Sequence, residues 1–181
     1  NNSEIYVKLM KDIVIPEAAP NWVPINASYA YFDGNFKTIS GLKCIGGEND
    51  PYVGFFGNEV WWYEISNLHI ADSYFEGSSY VGAVVAVMNN GGSVTNCYVT
   101  DTTVKGKEGC AGTLVGYLGM GHVVNCFVDT DTLVGYDSNG NTENSYYLSE
   151  TETEDGGKTA EQFASGEVAY LLQSGIAEED I

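Results

Sequence analysis

Four aspartates lie at or beside one repeated position of the chain and are its candidates for carboxylate chemistry. Asp72 and Asp101 each follow the asparagine of a repeated motif by five residues, and Asp129 and Asp131 flank the matching position in the next copy. Two carboxylates about 5–9.5 Å apart can hydrolyse a glycosidic bond, and carboxylate oxygens are also the ligands that Ca²⁺ prefers. This aspartate line predicts a sugar-cleaving or Ca²⁺ site, with solvent-exposed strand ends as the simpler interpretation.

Three adjacent aromatic residues form the second candidate site. Trp61, Trp62 and Tyr63 interrupt one of the repeats. Successive side chains of a strand point to opposite faces, so the three cannot all point inward. Exposed Trp and Tyr favour protein interfaces and stacking on sugars. We therefore expect Trp61 and Tyr63 to cover the coil edge or the N-terminal proline segment, and the three aromatic residues are the binding candidates of the alternative interpretation.

The patterns that would identify common catalytic sites are missing from the sequence. Neither His69 nor His122 belongs to a His-Glu-x-x-His motif, and there is no Gly-x-Ser-x-Gly elbow for a nucleophilic serine. We expect each histidine at the surface of the fold. The chain is accordingly expected to be no enzyme and to need no cofactor, with Ca²⁺ as the one ion that its acidity admits.

Charge excludes several classes of partner. The chain of 181 residues carries 25 acidic residues against 7 basic ones, all of them Lys, for a net charge of −18. Nucleic acids are recognised through Lys and Arg patches, so nucleic-acid binding is excluded. No apolar stretch approaches the length of about 18 residues that a transmembrane helix needs, so membrane insertion is not expected.

An internal repeat positions these residues. The segment Thr-Leu-Val-Gly-Tyr at 113–117 recurs letter for letter at 132–136, and the motif asparagines Asn67, Asn96 and Asn125 are spaced by 29 and 29 residues. A repeat of this period predicts a solenoid. Short β-branched runs between Gly- and Asn-rich corners predict strands rather than helices. We therefore expect an all-β fold, a right-handed parallel β-helix over residues 1–157, including strands within 5–15.

The repeat also predicts local detail. The recurring asparagines should hydrogen-bond up and down the stack, with a ligand-binding role as the alternative. Gly41 is expected to stand in the asparagine position of an earlier copy, and the Asp33-Gly34 pair predicts a tight turn.

The C-terminal part predicts an end cap. Residues 149–157 are polar and acidic and are expected to be a linker. Thr159 and Gln162 then have the spacing of a capping box, and apolar residues follow at helical spacing. We expect a capping helix within 158–175, ending near Gly175, and a tail at 176–181. The cap would cover the exposed last coil of the solenoid, and a partner-binding helix is the alternative.

The cysteines are expected to be buried thiols. Cys97 and Cys126 occupy equivalent repeat positions where Leu68 stands in an earlier copy, which indicates an apolar interior site. We expect Cys44, Cys97 and Cys126 to be buried and reduced. A disulfide between Cys97 and Cys126 is the alternative, although stacked side chains lie alongside each other rather than pointing at each other.

Several segments together resemble the GLUG-motif repeats of bacterial surface proteins. They are Phe-Asp-Gly-Asn-Phe-Lys-Thr-Ile-Ser-Gly-Leu at 32–42, Tyr-Val-Gly-Phe-Phe-Gly at 52–57, Leu-Val-Gly-Tyr at 114–117 and Val-Asn-Cys-Phe-Val at 124–128. The N-terminal segment and the tail after residue 158 resemble what flanks such repeats, which also occur beside the catalytic regions of IgA-specific metallopeptidases.

The resemblance implies a non-catalytic module of a larger exported bacterial protein. A gut bacterium is the expected source. Such a module would serve in adhesion or as a spacer at the cell surface or outside the cell. Its partners would be a host or bacterial surface protein or glycan and other domains of the same polypeptide. The alternative function is a carbohydrate-active β-helix that uses the aspartate line, with or without Ca²⁺.

Overall fold

The computed structural model describes residues 4–26, 28–47, 49–58, 61–106 and 110–174, and the predicted tail at 176–181 lies outside them. Side chains are described for these residues except residues 28 and 61–63. The fold is a parallel β-solenoid of about four turns that ends in two short helices. This confirms the predicted all-β parallel solenoid with a helical cap.

The first half of the chain forms eleven short strands. They are β1 (Ile5–Lys8), β2 (Ile13–Val14), β3 (Ser28–Ser40), β4 (Lys43–Ile45), β5 (Tyr52–Val53), β6 (Phe56–Asn58), β7 (Trp61–Ala71), β8 (Tyr74–Gly77), β9 (Tyr80–Gly82), β10 (Val85–Met88) and β11 (Gly92–Thr95). The second half continues with β12 (Tyr98–Thr100), β13 (Thr103–Gly106), β14 (Ala111–Gly112), β15 (Val115–Leu118), β16 (His122–Val124), β17 (Phe127–Val128), β18 (Val134–Asp137), β19 (Asn141–Glu143), β20 (Tyr146–Leu148) and β21 (Gly157–Lys158).

Each strand of the described residues pairs in parallel with a strand of a neighbouring coil, so side chains of equal register form columns along the solenoid axis. Ile65, Val94 and Val123 make one such inward column and are fully or almost fully buried. The coil cannot bury this apolar column alone, and each coil is stabilised by the one stacked on it.

The motif around each repeated asparagine is a corner between two strands rather than one straight strand. Asn67, Asn96 and Asn125 have φ values of 54°, 52° and 56°, in the left-handed region. Asn is one of the few residues other than Gly that adopts this conformation readily. The chain therefore turns at each asparagine, and the flanking strands, such as β11 and β12, lie on two different faces.

The fourth coil is shorter than the others, which explains why the repeat has two periods. Full coils occupy 28–58, 61–88 and 92–118, and each has strands on five faces. The coil at 122–137 passes from β17 directly to β18 and omits the two faces that β13 and β14 occupy in the coil before. Consequently Val134 pairs with Val115 after 19 residues, whereas Val123 pairs with Val94 after 29.

Two expectations about the N-terminal part are wrong. Asp33 and Gly34 form no hairpin, because they lie inside the bent strand β3, which pairs in parallel with β7. Asn35, with a φ of 52°, provides the corner that Asn67 provides one coil later. Gly41 is equivalent to Asp72 instead of Asn67, since the pairing of β3 with β7 continues from Ser40 and Ala71 to these two residues.

The predicted cap consists of two helices, α1 (Ala160–Ser165) and α2 (Glu167–Ser174). The capping box of Thr159 and Gln162 is present. Gly166 breaks the predicted single helix, because its φ of 85° ends α1 in a left-handed cap. The expected stop at Gly175 lies outside the described residues.

The segment predicted as a linker is folded onto the last coil. The Ser149 N–H donates to the Lys158 carbonyl at 2.8 Å, and β21 continues the sheet beside β20. Lys158 is buried, pairs with Glu152 and lies over the Tyr146 ring. Residues 149–157 are therefore an ordered closure of the solenoid.

Candidate functional site

The corner asparagines form a hydrogen-bonded ladder. The Asn96 amide nitrogen donates to the Asn67 side-chain oxygen at 3.1 Å, and that of Asn125 donates to Asn96 at 3.2 Å. Asn144 donates in turn to Asn125. These contacts confirm that the asparagines stack and bond along the axis. The ladder satisfies polar groups at an inner corner, so its role is structural.

The two ends of this asparagine ladder are satisfied differently. At the N-terminal end, the Asn67 amide donates to the Asp33 carboxylate at 3.0 Å, and Asp33 also pairs with Lys8 at 2.8 Å. At the C-terminal end, the Asn144 amide donates to the Leu172 carbonyl of α2 at 3.3 Å. The ladder thus ends on a charge at one end of the solenoid and on the helical cap at the other.

The aspartate line is only partly assembled. Asp72 and Asp101 occupy a second left-handed corner on successive coils, with φ values of 47° and 50°, and their side chains are exposed. The Asp129 carboxylate accepts the Asp101 backbone N–H at 2.8 Å. Asp131 lies between β17 and β18, where its carboxylate accepts the Thr132 hydroxyl at 3.2 Å.

The positive φ values explain why Asp stands at these corners, since Asp, like Asn, tolerates the left-handed conformation. Among the described residues, no three His, Cys, Asp or Glu side chains are grouped so as to hold a metal ion. Ca²⁺ binding therefore stays a prediction without a described set of ligands behind it.

His69 lies on the outer face of its coil, as predicted, between the inward residues Leu68 and Ile70. Its neighbours half-bury it, with Nδ1 3.1 Å from the Thr38 hydroxyl and Nε2 2.9 Å from the Thr100 hydroxyl. Burial lowers the pKa of His69, although the negative charges of Asp129 and Asp101 act in the opposite direction. The neutral imidazole therefore serves as a link between coils.

His122 is exposed, as predicted. Its column on the outer face contains Glu64, Ser93 and Asn141, and these residues line a surface groove of about 490 Å³. Four glycines, Gly91, Gly92, Gly121 and Gly140, also line the groove.

The buried thiols behave as hydrogen-bonded interior groups. Cys44, Cys97 and Cys126 are buried and free, as predicted, and no disulfide joins Cys97 to Cys126. The Cys126 sulfur accepts the Cys97 backbone N–H at 3.4 Å and donates to the Val124 carbonyl at 3.2 Å. Burial raises the pKa of Cys126 well above its ordinary value, so the reactive thiolate is disfavoured.

A serine takes over the same position one coil later. The Ser145 hydroxyl accepts the Cys126 backbone N–H at 3.0 Å and donates to the Glu143 carbonyl at 2.8 Å. In Cys126 and Ser145 the position after the asparagine therefore holds a small side chain that both accepts and donates a hydrogen bond. Sequence comparison with Leu68 indicated the burial correctly but not this hydrogen-bonding role.

An outer row of tyrosines runs along the described part of the solenoid. This tyrosine ladder comprises Tyr52, Tyr80, Tyr117 and Tyr136. The ring centroids of Tyr52 and Tyr80 lie 5.8 Å apart, those of Tyr80 and Tyr117 5.7 Å, and those of Tyr117 and Tyr136 5.8 Å. The ladder spans four coils, and its end rings are the most exposed, with 37 % for Tyr52 and 54 % for Tyr136.

Glycines beneath the ladder hold two faces of the solenoid close together. A Cβ on Gly82 would lie 2.5 Å from the backbone nitrogen of Gly116, and one on Gly116 would lie 2.6 Å from the Ala86 carbonyl. Only glycine permits this backbone approach. The repeated Leu-Val-Gly-Tyr thus encodes an inward Leu, a Gly at the close approach and an outward Tyr.

Sequence reasoning did not assign the tyrosine ladder a role. The signal was present, because Tyr117 and Tyr136 are the last letters of the verbatim repeat. The aromatic candidates chosen from the sequence were Trp61, Trp62 and Tyr63. Their side chains lie outside the described residues, so their binding role stays a prediction.

No protein-family model, curated protein or solved structure matches this chain. Neither described helix has the length and apolar character that crossing a membrane requires.

Proposed function

We propose that the chain is a non-catalytic adhesion module of an exported bacterial protein and that its tyrosine ladder binds a surface glycan. The observation that carries this proposal is the continuous row of four outward Tyr rings over four coils. A row with one contact per coil suits a linear partner built from repeating units. Tyr offers such a partner an apolar body and a hydroxyl that hydrogen-bonds.

The charge of the chain narrows the glycan class. At a net charge of −18, the field of the protein repels polyanions such as acidic polysaccharides. A neutral linear glycan has polar hydroxyls and apolar ring faces and meets no such repulsion. The resemblance to GLUG-motif repeats supports a place at the cell surface or outside the cell, beside other domains of a longer polypeptide.

Binding to a glycan array, followed by titration calorimetry on the neutral glycans that respond, tests the proposal. The test variant is Tyr52→Ser combined with Tyr136→Ser, since both rings are exposed and the fold should persist. We expect the affinity to fall by about tenfold or more, which corresponds to about 1.4 kcal/mol.

Tyr170→Ser is the matched control, because Tyr170 is 69 % exposed on α2 and lies outside the ladder. It should bind like the wild type. An equal loss in both variants would refute the ladder as the binding site. If no glycan binds at all, the adhesion role fails and the module is a spacer.

A second function, a carbohydrate-active solenoid, is favoured by one contact. The Asp129 carboxylate accepts the Asp101 backbone N–H at the second corner, and the negative charges of both aspartates raise the pKa of His69 against the effect of burial. Incubation with glycans, with and without Ca²⁺, would then release product, and Asp101→Asn should abolish the release. Asn keeps the left-handed backbone at residue 101, so unchanged stability with lost turnover would identify a catalytic carboxylate.

A further inference from the structure

The dipeptide Asn-Gly occurs twice in the chain, at the same corner of the solenoid. Met88 at the end of β10 and Asp137 at the end of β18 belong to one column of stacked residues. Two residues after each of them stands an asparagine that is followed by glycine, as Asn90-Gly91 and as Asn139-Gly140. The two pairs therefore share their sequence and their place in the fold, and they differ only in their surroundings.

An Asn-Gly pair can modify itself. The backbone nitrogen of the glycine attacks the side-chain carbonyl carbon of the asparagine, the amide proton of the glycine passes to water, and the side-chain nitrogen leaves as ammonia. A second water then opens the resulting cyclic imide to aspartate or to isoaspartate, whose main chain runs through the side-chain carbon. Glycine permits the attack because it has no side chain and a wide backbone freedom. The reaction requires that the glycine N–H is released from its hydrogen bond.

Stacking of coils withholds the first glycine from this reaction. The Gly91 N–H donates to the Met120 carbonyl of the next coil at 2.6 Å. In the opposite direction, the Gly119 N–H donates to the Met88 carbonyl at 2.7 Å. The corner is thus bonded to the next coil by donors from both sides. Release of the Gly91 N–H requires the two coils to part, which is a costly opening of the structure.

The second glycine is held by one exposed side chain. The Gly140 N–H donates to the Asp137 carboxylate at 2.7 Å, and both Asp137 and Asn139 are exposed. Rotation of an exposed side chain breaks such a bond quickly and displaces no strand. The flanking N–H groups of Ser138 and Asn141 donate to carbonyls of the preceding coil, so the corner stays in place while the Gly140 N–H is released.

The fold requires glycine at this position. A Cβ on Gly140 would lie 2.5 Å from the Cδ2 atom of Leu118, whose side chain is fully buried. A larger residue that would hinder the attack therefore does not fit. The same tight packing leaves no room for an additional main-chain atom, so isoaspartate at residue 139 should push the corner away from Leu118.

We propose that Asn139 is a modification site, which deamidates in the folded protein through attack by the Gly140 nitrogen, whereas coil stacking protects Asn90. The product has one more negative charge and, as isoaspartate, one more main-chain atom between β18 and β19. Asn139 and Gly140 line the groove that also contains His122, so the modification changes this surface as the protein ages. The proposal does not depend on what the tyrosine ladder binds.

Incubation of the folded protein for days at mildly alkaline pH, in water enriched in heavy oxygen, tests the site by peptide mass spectrometry. Asn139 should incorporate the label about tenfold or more faster than Asn90, because Asn90 reacts only when coils part. The chain unfolded in guanidinium chloride is the control, in which both Asn-Gly pairs should react at similar rates. Equal rates in the folded protein, or a faster reaction at Asn90, would overturn the proposal.

Asp137→Ala tests how Gly140 is restrained. The variant lacks the acceptor of the Gly140 N–H, so the reaction at Asn139 should accelerate about two- to tenfold while the rate at Asn90 stays the same. A slower reaction at Asn139 would mean that the carboxylate promotes the attack, and the proposed release by side-chain rotation would be wrong.

Two further variants separate the effects of the product. Asn139→Asp has the new charge on a normal main chain and, when freshly prepared, should unfold at the same guanidinium concentration as fresh wild type. Aged wild type that contains isoaspartate should unfold at a lower concentration, because the corner no longer packs on Leu118. Asn139→Gln would have to form a larger ring, so it should neither react nor lose stability on ageing. If aged wild type unfolds like Asn139→Asp, the predicted displacement of the corner is wrong.

Discussion

The two ends of the described solenoid differ in how far their inward-facing side chains are covered. At the C-terminal end, α1 and α2 cover the last coil. The ring centroids of Phe163 and Phe127 lie 6.1 Å apart, and Leu172 of α2 is buried. At the N-terminal end, the inward residues Ile5 and Val7 remain about half exposed. Each end of a stacked repeat exposes an apolar coil, and within the described residues only the C-terminal end is covered by helices.

The comparison extends to the polar ladders. The asparagine ladder ends at the cap on the Leu172 carbonyl, a neutral and sheltered acceptor. At the open end it terminates on Asp33, a partly exposed carboxylate that also binds Lys8. Stability at the capped end should therefore depend on burial, and at the open end on ionisation.

Removal of the cap should have the largest effect. Truncation after Gly157 takes away Val168 and Leu172, which are both buried, and leaves Asn144 without its carbonyl acceptor. We expect a loss of about 3 kcal/mol or more, since a fully buried aliphatic side chain contributes about 1.5–3 kcal/mol. Urea unfolding followed by circular dichroism measures it, and solubility should fall as well.

Two controls sharpen this result. Tyr170→Ala on the exposed side of α2 should change stability by no more than about 0.5 kcal/mol. Deletion of residues 1–8 at the open end should cost less than the truncation, because Ile5 and Val7 are already half exposed. A truncated chain of wild-type stability would show that the helices serve a partner instead of the solenoid.

Interruption of the asparagine ladder should have the next largest effect. Asn96→Ala removes the contacts with Asn67 and Asn125 and places Ala in the left-handed conformation, which costs about 1–2 kcal/mol by itself. Loss of the hydrogen bonds adds about 1–3 kcal/mol. Chemical unfolding should therefore report about 2–5 kcal/mol in total.

Asn96→Gly separates the two causes, since Gly adopts the left-handed conformation without strain. It should lose only the hydrogen-bond contribution. Equal losses for the Gly and Ala variants would mean that backbone strain at the corner contributes nothing.

A thiol near the capped end should be replaceable at a small cost. In Cys126→Ser the hydroxyl can bond the Cys97 N–H and the Val124 carbonyl, as Ser145 does one coil later. We expect a destabilisation of about 1 kcal/mol or less. Cys126→Ala leaves the Cys97 N–H without its acceptor and should be clearly worse in the same unfolding assay. A Ser variant no better than the Ala variant would contradict the hydrogen-bonding role.

The smallest effect should be a pH dependence at the open end. The hydrogen bonds from Asn67 and Lys8 hold the pKa of Asp33 below its ordinary value, although partial burial opposes them. A lowered folded-state pKa stabilises the protein above the unfolded value of about 3.9, and the stabilisation is lost as the pH falls through the folded pKa. The contribution of this partly exposed group should stay below about 1 kcal/mol.

Asp33→Asn removes this charge. Wild type should exceed the variant in unfolding free energy near neutral pH, and the difference should vanish on acidification to about pH 2. Asp137→Asn, at an exposed position outside the asparagine ladder, is the control for general charge effects. If the stability difference between wild type and Asp33→Asn grew on acidification, the predicted direction of the pH dependence would be wrong.

Local chemistry in the sequence determined the repeat and its interior. The spacing of Asn67, Asn96 and Asn125 indicated the stacking, because one residue type served the same left-handed corner in each coil. The equivalence of Cys97 and Cys126 indicated their burial, and the spacing of Thr159 and Gln162 indicated the start of α1. These features depend on contacts within one coil or between equivalent positions, which sequence periodicity records.

Only the tertiary structure decided which corner each residue serves and how the ends are treated. Gly41 resembled an asparagine corner in sequence but belongs to the corner of Asp72, because the pairing of β3 with β7 places Ser40 opposite Ala71. The tyrosine ladder arises because Tyr80 of one face meets Tyr117 of the next across the glycine approach. The burial of each inward side chain depends on the coils stacked on both sides of it, which is why Val123 is fully buried and Ile5 is half exposed although both face inward.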